Sequence, residues 1–102
     1  MYEALGDLSL DLLRAFEAAA RHRSFTAAAM ELGTTQPAIS QQIKRLEEQL
    51  AIRLFDRIYR GIELTDAGAL LFEHVQGGLQ AINQGLGVIT QHSQHEVLQV
   101  AT

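Results

Sequence analysis

Apolar residues recur at helical spacing in four stretches of this chain, and between the third and fourth the period shortens to about two. Leu10, Leu13, Phe16 and Ala20 lie on one side of a first helix and are expected to face a core. Ser9 can cap that helix, with Asp11 in its opening turn and Arg21, His22 and Arg23 in its last, which suits the helix dipole. Ser24 opens a second helix running to about Leu32. Its Ala27-Ala28-Ala29 run lets another helix pack close, and Gly33 suits the left-handed position that ends it. Thr35 can cap a third helix reaching about Ala51, and Pro37 sits in its first turn, where a missing N–H is no loss.

The third helix carries two stripes. Ile39, Ile43, Leu46 and Leu50 make a greasy one, and Gln36, Ser40 and Lys44 make one of polar groups. A helix of this kind is anchored by one face and presents the other. The runs Arg53-Leu54-Phe55-Asp56-Arg57 and Ile62-Glu63-Leu64 then alternate about Tyr59-Arg60-Gly61 and predict a small hairpin. The expected fold is mainly α: a winged helix-turn-helix, with three helices and a hairpin wing, over residues 1–64.

Thr65 caps a fourth, longer helix, with Asp66 complementing the dipole. Val75, Leu79, Ile82, Leu86 and Ile89 are spaced four, three, four, three, as in a heptad seam. From Thr65 to about Gln91 such a helix would be about 40 Å long at about 1.5 Å per residue, too long for a lid on so small a domain. The pattern predicts a linker and dimerisation helix with its hinge over residues 65–93, although the seam could instead pack on the N-terminal domain. Gly77, Gly78, Gly85 and Gly87 weaken it, and either close helix approach or bending would account for them. His92-Ser93-Gln94-His95 reads as the hinge, and Val97, Leu98, Val100 and Ala101 as a strand within residues 94–102. An apolar strand with nothing after it suggests a piece of a longer protein.

Composition sharpens this picture only in places. The chain has 102 residues, 47% of them apolar, and no cysteine, so disulfides and thiolate metal sites are excluded. No apolar run approaches the roughly 18 residues that span a bilayer. The N-terminus does not resemble a secretory signal, which favours a cytoplasmic location. A net charge of −4 argues against a nucleic-acid partner until its placement is considered. Residues 36–60 hold Lys44, Arg45, Arg53, Arg57 and Arg60 against Glu47, Glu48 and Asp56, whereas both flanking segments are net negative. The one positive segment contains the two-striped helix, as phosphate contact requires.

On that helix Gln36 can pair with an adenine edge in a bidentate fashion, Ser40 can donate or accept, and Pro37 and Ala38 suit a thymine methyl. Gln41 stands at the rim. Thr26, Thr34, Thr35, Lys44, Arg53, Arg57 and Arg60 are candidates for phosphate or minor-groove contact, which fixes register but carries little sequence information. Plainer readings stand beside these. Gln36, Ser40 and Lys44 could form a merely solvated face; Arg57 could pair with Glu47 or Glu48; and Arg14, Arg21 and Arg23 read as ordinary surface charges. Catalysis has little support. Ser40 lacks a nucleophile-elbow context, Gly85-Leu86-Gly87 follows a helix rather than a strand, and His92 with His95 supplies only two metal ligands.

Residues across roughly 8–90 fall in one family's pattern: Ser24-Phe25, Ala28-Ala29, Leu32, Gln36-Pro37-Ala38-Ile39-Ser40, Leu46-Glu47, Leu54-Phe55, Arg57, Arg60, Leu64-Thr65 and Ala67-Gly68 among them. The chain resembles the N-terminal DNA-binding region of a bacterial LysR-type transcriptional regulator. The resemblance implies that Gln36, Pro37, Ser40 and Gln41 touch bases of double-stranded DNA. It also implies a homodimer paired through the linker helix, an interrupted palindromic site near a promoter, and, in the full-length protein, tetramers and contact with RNA polymerase. No cofactor is implied here; a small-molecule effector would bind a C-terminal domain absent from this chain, with residues 94–102 its first strand. Two positions depart from the pattern. Ala51 stands where glycine is usual, and Thr34 where an apolar residue is common. The competing expectation is a helical adaptor whose winged fold binds protein.

Overall fold

The computed structural model describes Glu3 and residues 6–101, with residues 93–101 described by backbone alone. Three helices come first: α1 (Leu10–His22), α2 (Phe25–Leu32) and α3 (Gln36–Leu50). A two-stranded hairpin, β1 (Phe55–Ile58) and β2 (Gly61–Leu64), leads into α4 (Asp66–Ala101). This is the expected winged arrangement.

Side-chain hydroxyls start the helices where the sequence placed them. Ser9 Oγ accepts from the Leu12 N–H at 3.3 Å, Ser24 Oγ from Ala27 at 3.0 Å, and Thr35 Oγ1 from Ala38 at 3.3 Å. Each satisfies one of the amides that a helix start leaves without a partner. Thr65 does two jobs, accepting from the Gly68 N–H at 3.0 Å while donating to the Arg53 carbonyl at 2.7 Å. That pair of bonds ties the start of α4 to the root of the wing.

The core is built from Leu12, Ala15, Phe16 and Ala19 of α1, Ala28 and Ala29 of α2, and Ile39, Ile43 and Leu46 of α3. The α1 stripe is rotated relative to expectation: Phe16 and Ala20 are buried, but Leu10 is half exposed and Leu12 takes the inner position. Leu10 and Leu13 instead line an apolar groove shared with α4. Phe55 closes the core from the wing, its ring centroid 5.5 Å from Phe16 and 5.6 Å, edge-on, from Phe25.

The hairpin pairs Phe55 with Leu64, Asp56 with Glu63, Arg57 with Ile62 and Ile58 with Gly61, leaving Tyr59 and Arg60 as its two-residue tip. Neither tip residue has a positive φ; Gly61, at φ 144°, absorbs the mismatch with the strand twist. Gly68 is fixed by a different constraint. A Cβ there would lie 2.2 Å from the Leu54 carbonyl oxygen, so only glycine lets α4 seat against the wing root.

Two expectations for the C-terminal third need correction. The expected hinge at residues 92–95 and strand within 94–102 are replaced by helix, which continues through Ala101. A strand must find a hydrogen-bonding neighbour, whereas a helix satisfies its own backbone, and among the described residues no strand lies alongside to pair with. The side chains of that stretch, and Thr102, lie outside the described residues. The heptad seam also divides. Val75 is buried and Leu79 partly buried against the N-terminal core, while Ile82, Leu86 and Ile89 are 50%, 59% and 64% exposed. A Cβ on Gly77, Gly78, Gly85 or Gly87 would meet nothing within 4 Å, so close approach within this chain does not explain those glycines.

Candidate nucleic-acid interface

Burying Ile39, Ile43 and Leu46 turns the opposite face of α3 outward. Gln36, Pro37, Gln41 and Lys44 are exposed and Ser40 is half exposed. Gln36, Ser40 and Lys44 are each four residues apart, so they line up along one side of the rod. Gln36 and Gln41 make no side-chain hydrogen bond among the described residues, which leaves both amides free for a partner.

A cleft of about 600 Å³ lies between this face and the wing, lined by Ser40, Lys44, Glu47, Arg53, Asp56 and Arg57 above an apolar floor that includes Phe25, Ile43 and Ile62. Glu47 does not pair with Arg57 there. Its Oε2 accepts from the Leu54 N–H at 2.7 Å and the Phe55 N–H at 3.2 Å, holding the segment between α3 and β1. Arg53 donates to Asp56 at 2.9 Å, so its charge is partly offset. Lys44 and Arg57 form no ion pair among the described residues. The cleft therefore keeps a positive balance after its carboxylates are engaged.

The other candidates divide by position. Arg60 stands at the wing tip with its guanidinium 5.4 Å from the Tyr59 ring centroid, and that ring is 93% exposed. Thr26 is exposed in the first turn of α2, and Thr35 is exposed at the α3 cap with its oxygen already accepting. Thr34 lies apart from this cleft and lines a smaller one of about 130 Å³ with Asp11, Arg14, Leu32 and Gln42. Sequence reasoning missed Glu47 and Gly68 as the residues that set the wing's position, because each acts on backbone brought close only by folding.

Arg21 is a surface charge, as expected, but one bound into a cluster. It donates to Glu17 at 2.8 Å and to Glu31 at 2.6 Å, and His22 Nε2 lies 2.7 Å from the other Glu31 oxygen. These bonds, led by those from Arg21, pull the Glu31 carboxyl down to about 2, and Arg21 is held protonated more firmly than usual, first by Glu17. The cluster ties the end of α1 to α2.

A helix pair with its second member presented, flanked by a hairpin wing and a positively balanced cleft between them, defines a winged helix-turn-helix DNA-binding module. The chain belongs to the lysR family: residues 10–69 match the family described as bacterial regulatory helix-turn-helix protein, lysR family. Among curated relatives it is 48% identical over 94 residues to the HTH-type transcriptional activator AmpR of Providencia stuartii, covering 92% of this chain and 32% of that protein. It is likewise 48% identical over 86 residues to the HTH-type transcriptional regulator PerR of Escherichia coli (strain K12), covering 84% of this chain and 29% of that one. The chain thus spans about a third of the length of such relatives. Among solved structures, the BenM DNA-binding domain in complex with catB site 1 DNA superposes with a TM-score of 0.79 at 32% identity, covering 84% of this chain and 97% of that one. The CbnR DNA-binding domain in its DNA complex gives 0.71 at 35% identity, covering 76% and 90%.

Proposed function

We propose that this chain is the operator-reading region of a dimeric LysR-type transcriptional regulator, with α3 in the major groove of an interrupted palindrome near a promoter. One observation carries the reading: Gln36, Ser40 and Lys44 share an outward side of α3, exposed at Gln36 and Lys44 and half exposed at Ser40, beside a cleft whose net charge is positive. Gln36 reads an adenine edge through its amide, Ser40 adds a weaker choice by donating or accepting, and Pro37 offers apolar surface to a thymine methyl. Gln41 reaches the edge of the same stretch. Lys44, Arg57 and Arg60, with Thr26 and Thr35 in support, hold phosphates or the minor groove; Arg53 does so less strongly because of Asp56. Thr34, turned toward α1, is the least suited of the set.

The second copy docks along α4. The exposed seam Ile82, Leu86 and Ile89 continues from the apolar groove of about 410 Å³ bounded by Leu8, Leu10, Leu13, Leu71 and Leu79. Pairing there would remove that surface from water. Two α3 helices presented by such a dimer address half-sites about one helical turn, roughly 34 Å, apart, or further if the DNA bends. Effector recognition, and any contact with RNA polymerase or assembly into tetramers, belongs to the longer regulator. A cytoplasmic location follows from the same reading; no helix among the described residues is long and apolar enough to cross a membrane.

Nuclease footprinting on the DNA upstream of its own gene and neighbouring genes, repeated over a salt series, tests the proposal. Paired protected patches that weaken steeply with salt are expected. Uniform, unpatterned protection or none would contradict it.

A further inference from the structure

We propose that Arg23 grips a DNA phosphate beside the wing, widening the contact surface beyond α3 and the hairpin; this rests on the DNA-binding reading above. Arg23 is the exception among the arginines of α1 and its cap. Arg14 lies 3.6 Å from Asp11, and Arg21 is bound by Glu17 and Glu31. The exposed Arg23 side chain makes no ion pair or hydrogen bond among the described residues.

Its backbone is also unfavourable for an arginine. Arg23 occupies the left-handed region, φ 54° and ψ 36°, where it caps α1 by donating its backbone N–H to the Ala19 carbonyl. Gly33 performs the same service for α2 at φ 69° without a Cβ in the way. The attraction of a cation to a helix C-terminus is smaller than the usual cost of placing a side chain in that conformation. Folding alone would therefore prefer glycine at position 23.

What the side chain can reach supplies the reason. Arg23 runs directly into the Ser24 cap and the exposed Thr26, and its carbonyl oxygen lies 3.6 Å from where a Cβ on Gly61 would stand. It thus sits between the start of α2 and the Arg60-Gly61 corner of the wing. The carboxylates of α1 and α2 are engaged by other groups, Asp11 by Arg14, and Glu17 and Glu31 by Arg21 and His22. A strained, unpaired cation between two surfaces assigned to DNA is placed for backbone contact, which positions the protein without selecting a sequence.

The experiment measures equilibrium binding of the chain to a mixed-sequence duplex over a salt series, for the parent and for Arg23→Gly, Arg23→Gln and Arg23→Lys, with thermal melting alongside. Arg23→Gly should melt higher than the parent yet bind several-fold more weakly at low salt. The slope of log affinity against log salt should become shallower by about one per protomer. Arg23→Gln should show the same shallower slope, and Arg23→Lys should keep the parent's. A parent-like slope in Arg23→Gly, or a slope in Arg23→Lys as shallow as in Arg23→Gly, would overturn the contact while leaving the DNA-binding reading intact. A parent that shows no salt-dependent binding would overturn both.

Discussion

Ala51 ends α3 in the left-handed conformation, φ 56° and ψ 36°, with its N–H donated to the last turn of the helix. A Cβ in that region costs about 1–2 kcal/mol, and glycine avoids it. Glycine gives back part of the gain through its freer unfolded chain. Ala51→Gly should therefore stabilise the fold by about 1 kcal/mol, seen as a rise in melting temperature of about 4–8 °C. An unchanged or lower melting temperature would show that the α3 exit is not strained. That strain was legible in the sequence as a departure from the family's glycine. The role of Glu47 was not: a carboxylate that accepts from two backbone amides seven and eight residues on looks, in sequence, like any solvated helix charge.

At the scale of elements, helix starts and types were the most legible feature, because a cap and an apolar stripe are local and each has a mechanism. Ser9, Ser24, Thr35 and Thr65 all accept the amide bonds expected of them. The rotation of α1 was not legible, since Leu10 and Leu12 are both leucines and only the packed fold distinguishes the buried one from the half-exposed one. Helix-to-helix ties such as Arg21 to Glu31 were also invisible, because ten residues separate the partners. That tie makes a pH prediction. Glu31 has its carboxyl lowered from an ordinary 4.5 to about 2, so its contribution is complete above about 4.5 and is lost as pH falls toward 2. Because the pair is well exposed, the amount is modest, below about 1 kcal/mol. Denaturant melts across that window should show a smaller acid loss in Glu31→Gln than in the parent. Equal losses would mean that the cluster does not couple α1 to α2.

For the whole molecule, net charge was a poor guide and its placement a good one. The negative total comes from segments on either side of α3 and the wing, whereas in the cleft itself Lys44, Arg53 and Arg57 outnumber Glu47 and Asp56. The linker seam was half legible: the heptad spacing is real, but its first two members serve the chain's own core and only the later three remain exposed. Leu86→Asp places a charge in that exposed stretch without touching the core, so it should convert a sedimenting dimer to monomer while leaving the melting of the winged unit unchanged. A Leu86→Asp dimer as stable as the parent's would move the contact elsewhere.

The central claim is that the outward stripe of α3 chooses among base pairs. Its most direct test is the ratio of affinities for the chain's best selected duplex and a scrambled duplex of equal length, at one salt concentration, in the parent and in Gln36→Ala. Loss of the amide should narrow that ratio by about 1–3 kcal/mol per half-site while leaving affinity for the scrambled duplex nearly unchanged. A ratio that survives the substitution intact would contradict the account, as would a parent that binds both duplexes equally.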